Sequence, residues 1–379
     1  MLRIILKLLV LIIFILLELL LWILGAHIWA YVGILLISIA VFVLWHQRQF
    51  HQKRGQLMGV VLLIGIVLIL NYGRLQHDVS FRGNLVAGLL KVTTRDLLSD
   101  DALSTQHQNT YHIEDWHPPK HYTNQAVDLK EVKGYLLKPQ HASSQQIVYQ
   151  IHGGGYINGF SNVYNRAAVR YSKASQNAPV FSIDYRVAPK YRYPTALNDV
   201  EDGYRWLLKQ GYDADQIIIA GDSAGGGLAL ALTLKLQDTH EALPKMLILS
   251  SPWTDLAAEG ASYRKNFHKD VIFGSDQPID DANTHISVPY AQKSQLKKPY
   301  VSPAYGTYRH MPPMLIQTGE DEMLLSDSQT VAHKVNQAGG EAQLITYHGM
   351  FHTFYILTPW LPESRTAWNH IHHFIQKHA

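Results

Sequence analysis

Gln216-Ile-Ile-Ile-Ala-Gly-Asp-Ser-Ala-Gly-Gly-Gly-Leu-Ala-Leu-Ala-Leu232 is a short apolar run that meets a glycine-flanked serine and continues in small and aliphatic residues. The order predicts a buried strand, a sharp turn over 221–225 and then a helix. Glycines two residues before and two after Ser223 suit a strand-to-helix turn, where side chains at those positions would strike neighbouring backbone and the serine hydroxyl stands clear of the sheet. A glycine-rich phosphate loop at a strand end is the plainer alternative. Gly225, Gly226 and Gly227 open the helix, each costing about 1 kcal/mol relative to alanine, so close backbone packing or ligand approach must offset them.

Around this stretch, apolar strands alternate with helical periodicity. Residues 127–137 are strand-like with a turn at Lys133-Gly134, and 146–151 form a buried strand that ends on His152-Gly-Gly-Gly-Tyr156. Strands are also expected at 179–184, 245–250, 313–317 and 342–347, and helices from Pro194 to Gly211, at about 326–338 and at 363–377. That alternation calls for a mainly parallel sheet covered on both faces. Residues 253–304 are polar and irregular, but Trp253, Tyr263, Phe267, Ile272, Phe273 and Tyr290 recur through them, which suits a cap insertion better than disorder.

The chain has 379 residues, 47% of them apolar, and its first 72 are membrane-like. Apolar runs at 4–24, 28–45 and 57–72 read as three helical spans, with Lys7 and Glu18 interrupting the first. A cleaved signal peptide does not account for three runs. Arg3 and Lys7 flank the first span and Arg48, Lys53 and Arg54 crowd the loop after the second, which places the amino terminus in the cytoplasm and residues beyond Tyr72 outside. A third run lying in the interface would instead keep those residues in the cytoplasm. The expected organisation is therefore a membrane region over 1–72, a linker and cap segment over 73–125, and a catalytic domain over 126–379. A net charge of +3 without a longer basic block gives nucleic-acid binding little support. With no cysteine, disulfides, thiolate catalysis and cysteine-ligated zinc are excluded.

A serine at neutral pH is a poor nucleophile, so it needs a base, an acid to orient that base, and donors for the oxyanion. The glycines after His152 can turn N–H groups toward a reacting carbonyl oxygen alongside the N–H of Ala224. Three acids, Glu320, Asp321 and Glu322, follow the strand over 313–317; Asp321 is the preferred one. Asp327 is explained by a helix start, with Ser326 and Gln329 as a capping box. Of 21 histidines, His352 lies just past the last strand and completes the order serine, acid, histidine; His348 is its rival. His370, His372 and His373 read as a solvated helix face rather than a metal site.

From about residue 125 onward the chain resembles the hormone-sensitive-lipase-like α/β-hydrolases, carboxylesterases related to arylacetamide deacetylase. The resemblance rests on His152-Gly-Gly-Gly-Tyr156, Asp184-Tyr-Arg-Val-Ala-Pro189 with Tyr193-Pro194, Gly221-Asp-Ser-Ala-Gly-Gly226, Gly319-Glu-Asp-Glu-Met323 and His348-Gly-Met-Phe-His352. It implies an α/β-hydrolase fold, a triad of Ser223, Asp321 and His352, and an oxyanion hole of Gly154, Gly155 and Ala224. It also implies a cap drawn from about 75–125 and 253–304. The family's acidic loop often reads Asp-Pro-Leu, whereas this one reads Asp321-Glu-Met323. The expected activity is hydrolysis of uncharged, short- to medium-chain acyl esters, without cofactor or metal, by an enzyme held in the bilayer. The alternatives are an amide, peptide or lipid hydrolase with the same triad, and a ligand-binding protein on the same fold, as in plant gibberellin receptors that lack the histidine.

Overall fold

The computed structural model describes residues 2–46, 53–72, 78–94, 116–142 and 144–379. Residues 73–77 and 95–115 of the expected linker and cap segment, and 47–52 of the basic loop, lie outside the described residues. The chain divides into two compact units, Met1–Thr93 and Thr94–Ala379.

The first unit holds α1 (Leu2–Ile23), α2 (Ile28–His46), α3 (Lys53–Tyr72) and most of α4 (Phe81–Thr94). Leu21, Ala30 and Ile34 are its buried centre, with Phe14, Leu17, Ile66 and Ile69 against them. Gly33 and Gly65 let α2 and α3 approach closely, since a Cβ on Gly33 would lie 2.8 Å from Ile69 Cδ1 and one on Gly65 3.2 Å from Ile37 Cδ1. Away from that seam the helices present apolar side chains outward: Ile15, Leu36 and Val61 are all more than half exposed. Among the described residues one helix, Ile28–His46, is long and apolar enough to cross a membrane; the apolar stretches Leu8–Ile23 and Gly55–Leu70 are shorter.

The second unit is built on an eight-stranded sheet in the order β1-β2-β4-β3-β5-β6-β7-β8. The strands are β1 (Tyr122–Asp128), β2 (Lys133–Pro139), β3 (Ile147–Ile151), β4 (Val180–Asp184), β5 (Ile217–Asp222), β6 (Met246–Ser250), β7 (Met314–Gly319) and β8 (Ala342–Tyr347). β2 runs antiparallel to β1 and β4, and the other pairings are parallel. Every residue of β3, β5 and β6 is buried, so these strands read as mostly apolar runs rather than alternating ones, with Gln150 inside β3 and Asp222 and Ser250 at the ends of β5 and β6. The helices are α5 (Asn162–Ala174), α6 (Thr195–Lys209), α7 (Ala224–Asp238), the single turn α8 (Ser262–Lys265), α9 (Leu325–Gln337), the single turn α10 (Phe354–Leu357) and α11 (Pro362–Lys377).

Several expectations are corrected. The turn of the first hairpin lies at 129–132, where Lys130 has φ 73° and Leu129 N–H bonds to Val132 O, and not at Lys133-Gly134. Gly134 is instead inside β2, where a Cβ would overlap the ring of Phe181. α5 forms where no helix was expected: Asn165 and Ser172 interrupt the buried set of Ala167, Ala168, Val169, Tyr171 and Ala174. The expected capping box at Ser326 does not form: Leu324 is the N-cap of α9, and the Ser326 hydroxyl bonds Ser262 Oγ at 2.6 Å. Asp327 is buried and accepts the N–H groups of Thr254 and Asp255, each at 2.7 Å. The 253–304 segment is anchored by Trp253, Tyr263, Phe267 and Tyr290, all buried in the main core of this unit.

Candidate active site

β5 ends at Asp222 and α7 begins at Ala224, so Ser223 alone makes the turn, at φ 50° and ψ −122°. That conformation is strained for a residue with a side chain and is retained only when neighbours over-determine it. Here they do: Ser223 N–H donates to Ser250 O at 2.9 Å and Ser223 O accepts Trp253 N–H at 2.9 Å. A Cβ on Gly221 would stand 2.5 Å from Gly225 O, and one on Gly225 would overlap the carbonyls of Ile151 and His152. Gly226 and Gly227 press α7 on Pro252 and Trp253 in the same way. The cost of three glycines is thus offset by packing. Ser223 is only 5% exposed, so its hydroxyl opens into a covered site rather than onto the surface.

The loop after β3 is fastened to this turn. Gly153 N–H donates to Asp222 Oδ1 at 3.1 Å. Gly154 and Gly155 follow at φ 113° and 62°, and their N–H groups have no protein partner among the described residues. Ala224, as the first residue of α7, has an N–H with no acceptor one turn back in its own helix. His152 stacks on Tyr185 at 4.1 Å and donates from Nδ1 to Gly153 O at 2.7 Å. Burial pushes its pKa down to about 4, so this imidazole is a neutral strut of the loop. Burial also pushes the Asp222 carboxyl up to about 7, against the opposing pull of His352 and the Gly153 N–H.

The structure brings His352 to Glu322, not to Asp321. His352 Nδ1 donates to Glu322 Oε2 at 2.9 Å, with both side chains buried. The other carboxylate oxygen accepts the Ser251 hydroxyl at 2.7 Å and the Gly319 N–H. Asp321 turns outward, 3.9 Å from Lys269 Nζ. Glu320 bonds Thr346 and the half-exposed rival His348, whose Nδ1 lies 3.1 Å from Glu320 Oε2. In the first turn after β7, the residue three places beyond Gly319 folds back onto the Gly319 N–H. The carboxylate that reaches His352 is therefore one residue further on than Asp321.

Ser251 has no counterpart in the sequence reading. Its hydroxyl also accepts the N–H of Thr353 at 3.2 Å, so one side chain at the end of β6 ties the acid loop to the histidine loop. Ser223, Glu322 and Thr353, the residue after His352, all bond to 250–253. The signal available beforehand was position: Ser250-Ser251-Pro252-Trp253 falls at the carboxyl end of a central strand, where sites on parallel sheets gather. The ring of Phe273 stands edge-on to His352 at 4.8 Å. Among the described residues no group of three His, Asp or Glu side chains could hold a metal ion.

A family model described as the alpha/beta hydrolase fold matches residues 148–356 of the chain, more than half of it, from the strand before the 152–156 glycine loop to just beyond His352. The chain belongs to the α/β-hydrolase family. Within it the likeness is to the hormone-sensitive-lipase branch: an esterase from the bacterial hormone-sensitive lipase family superposes with a TM-score of 0.66 at 28% identity, covering 79% of this chain and 98% of that one. An esterase of Acinetobacter venetianus is 35% identical over 64% of this chain and 78% of its own. Esterase LipU of Mycobacterium tuberculosis is 33% identical over 67% of this chain and 84% of its own. As an α/β-hydrolase, the chain carries its apolar helices α1–α3 outside the matched region.

Proposed function

We propose that this chain is a membrane-anchored serine carboxylesterase that cleaves short- to medium-chain acyl esters with Ser223 as nucleophile, His352 as base and Glu322 as orienting acid. The observation that carries the reading is the buried bond from His352 Nδ1 to Glu322, in a site whose serine is held on a strained strand-to-helix turn. With its Nδ1 proton committed to Glu322, the neutral imidazole offers the Nε2 lone pair to the serine hydroxyl. Ser223 Oγ attacks the ester carbonyl as its proton passes to Nε2. The N–H groups of Gly154, Gly155 and Ala224 hold the resulting oxyanion, and the imidazolium is stabilised by Glu322. The Nε2 proton goes to the departing alcohol, leaving an acyl-serine. Water then repeats the sequence: its proton goes to Nε2, its oxygen attacks the acyl carbon, and Ser223 leaves with the proton. Named esterases among the relatives support an ester over an amide as substrate.

Turnover of p-nitrophenyl esters of increasing chain length, set against p-nitroanilides, tests this. Short and medium esters should react and anilides should not, and Ser223→Ala should lower kcat by about 10⁶ while the melting temperature holds. A maximum at long acyl chains would mark a lipase instead. The membrane part of the proposal is three spans, α1 to α3, with the hydrolase unit outside the cytoplasm. It rests on the outward apolar surface of these helices and on the basic residues at 3, 7, 48, 53 and 54. Protease added to right-side-out vesicles should digest the hydrolase unit; protection until lysis would put it in the cytoplasm.

A further inference from the structure

The segment between β6 and β7 has little regular structure, yet two of its buried side chains grip the loop that carries Glu322. Asn266 donates from Nδ2 to the carbonyl oxygens of Glu320 and Glu322, both at 2.8 Å. Asp270 accepts the Met323 N–H on Oδ2 at 2.7 Å, while its Oδ1 takes the N–H groups of Ile272 at 2.8 Å and Phe273 at 3.0 Å. Each is 1% exposed. Glu322 is thus flanked by main-chain anchors on both sides, one at its own carbonyl and one at the next N–H. Asp270 also holds the backbone of Phe273, whose ring contacts His352.

The geometry points to Asn266 and Asp270 as positioning residues for the proposed ester hydrolysis: together they aim the Glu322 carboxylate at His352 Nδ1. A glutamate reaches its target through three torsions, so its direction is only as good as the backbone beneath it. Loss of an outer partner of this kind typically costs 10- to 100-fold, and a misplacement of about 1 Å can cost about 100-fold. The insertion therefore braces the triad as well as covering it. The inference rests on the esterase reading, and its test separates the two.

Asp270→Asn keeps an oxygen for Ile272 and Phe273 but turns an amide N–H₂ toward the Met323 N–H. Asn266→Ala removes both carbonyl anchors without changing any charge. Both variants are compared with wild type as full chains in detergent, using p-nitrophenyl butyrate across pH and a thermal melt. The ring of His352 interacts with Glu322 and Asp222, and around the acid loop stand Glu320, Asp321, His348, Lys269 and Asp270 itself. If the brace aims Glu322, kcat falls about 10- to 100-fold in each variant with KM within about threefold. The fall in kcat without a matching rise in KM in Asn266→Ala reports on position alone. Unchanged kcat, with only a lower melting temperature, would make both residues ordinary struts and overturn the proposal. So would a failure of both variants to fold, because the brace would then be inseparable from the fold. A wild-type protein that turns over no ester would instead sink the esterase reading.

Discussion

Replacing Glu322 by glutamine is the sharpest probe of the site, because the structure fixes what each atom of the new side chain would meet. The amide oxygen can still accept from Ser251 and Gly319, so the loop keeps its shape. The amide nitrogen then faces His352 Nδ1, donor against donor, at a distance where the native pair is 2.9 Å apart. The ring can respond only by moving its proton to Nε2, which removes the base, or by turning away. An acid-to-amide change of this kind in a serine-protease triad lowers kcat about 10⁴-fold, which is about 5.5 kcal/mol of barrier. Glu322→Gln should therefore lose about four orders of magnitude in kcat for p-nitrophenyl butyrate near neutral pH while folding normally. Asp321→Asn weakens a partly exposed pairing to Lys269, worth about 1 kcal/mol or less, leaves the Glu322–His352 bond in place, and should stay within about fivefold of wild type. The opposite ranking would refute the assignment, with thermal melting run on both so that unfolding is not mistaken for chemistry.

Gly225→Ala should abolish both activity and stable folding, losing on the order of 3 kcal/mol or more, because its Cβ would overlap two main-chain carbonyls that cannot withdraw. Gly211→Ala, with nothing within 4 Å and only a φ of 92° to strain it, should cost about 1–2 kcal/mol and leave kcat intact; equal losses in urea titrations would contradict this. Asp222 has a folded pKa of about 7 against an ordinary 3.8, so between those values the folded chain keeps a proton that the unfolded chain has released. Its contribution to stability is full below that window and is lost as pH rises through it, by about 4 kcal/mol at most. Asp222→Asn keeps the acceptor for the Gly153 N–H and should flatten that slope; a urea midpoint that varies with pH as in wild type would count against it.

The serine turn was legible because the glycines two residues either side of Ser223 are required by close backbone approaches, Gly221 to Gly225 within the same stretch and Gly225 to the carbonyls of Ile151 and His152. His352 was legible for a related reason, since of the six histidines after the last strand only it and His348 lie in the loop directly behind it. The carboxylate that meets His352 was not. Glu320, Asp321 and Glu322 are consecutive, and which of them turns inward is decided by Asn266, Asp270 and Ser251, residues 53 to 71 positions from their partners in the loop and connected to it by no local pattern. Ser251 itself is one serine in a Ser-Ser-Pro-Trp run, and its two bonds reach Glu322 and Thr353, far along the chain. The helix over Asn162–Ala174 was hidden because Asn165 and Ser172 interrupt its inner face, in which Val169 and Tyr171 are the only large apolar side chains.

α7, the helix that starts at the nucleophile, has no water-facing side until its last turn: residues 224–234 and Leu236 are all buried. Its peptide groups cannot meet solvent by local fraying, because opening them means separating the helix from the sheet beneath and from the segment 250–253 beside it. Its amide hydrogens should then exchange with deuterium only when the whole unit opens, with protection equal to the global unfolding free energy. Heat should accordingly silence the enzyme in a single cooperative step, with no partly melted yet intact chain that has lost only its nucleophile.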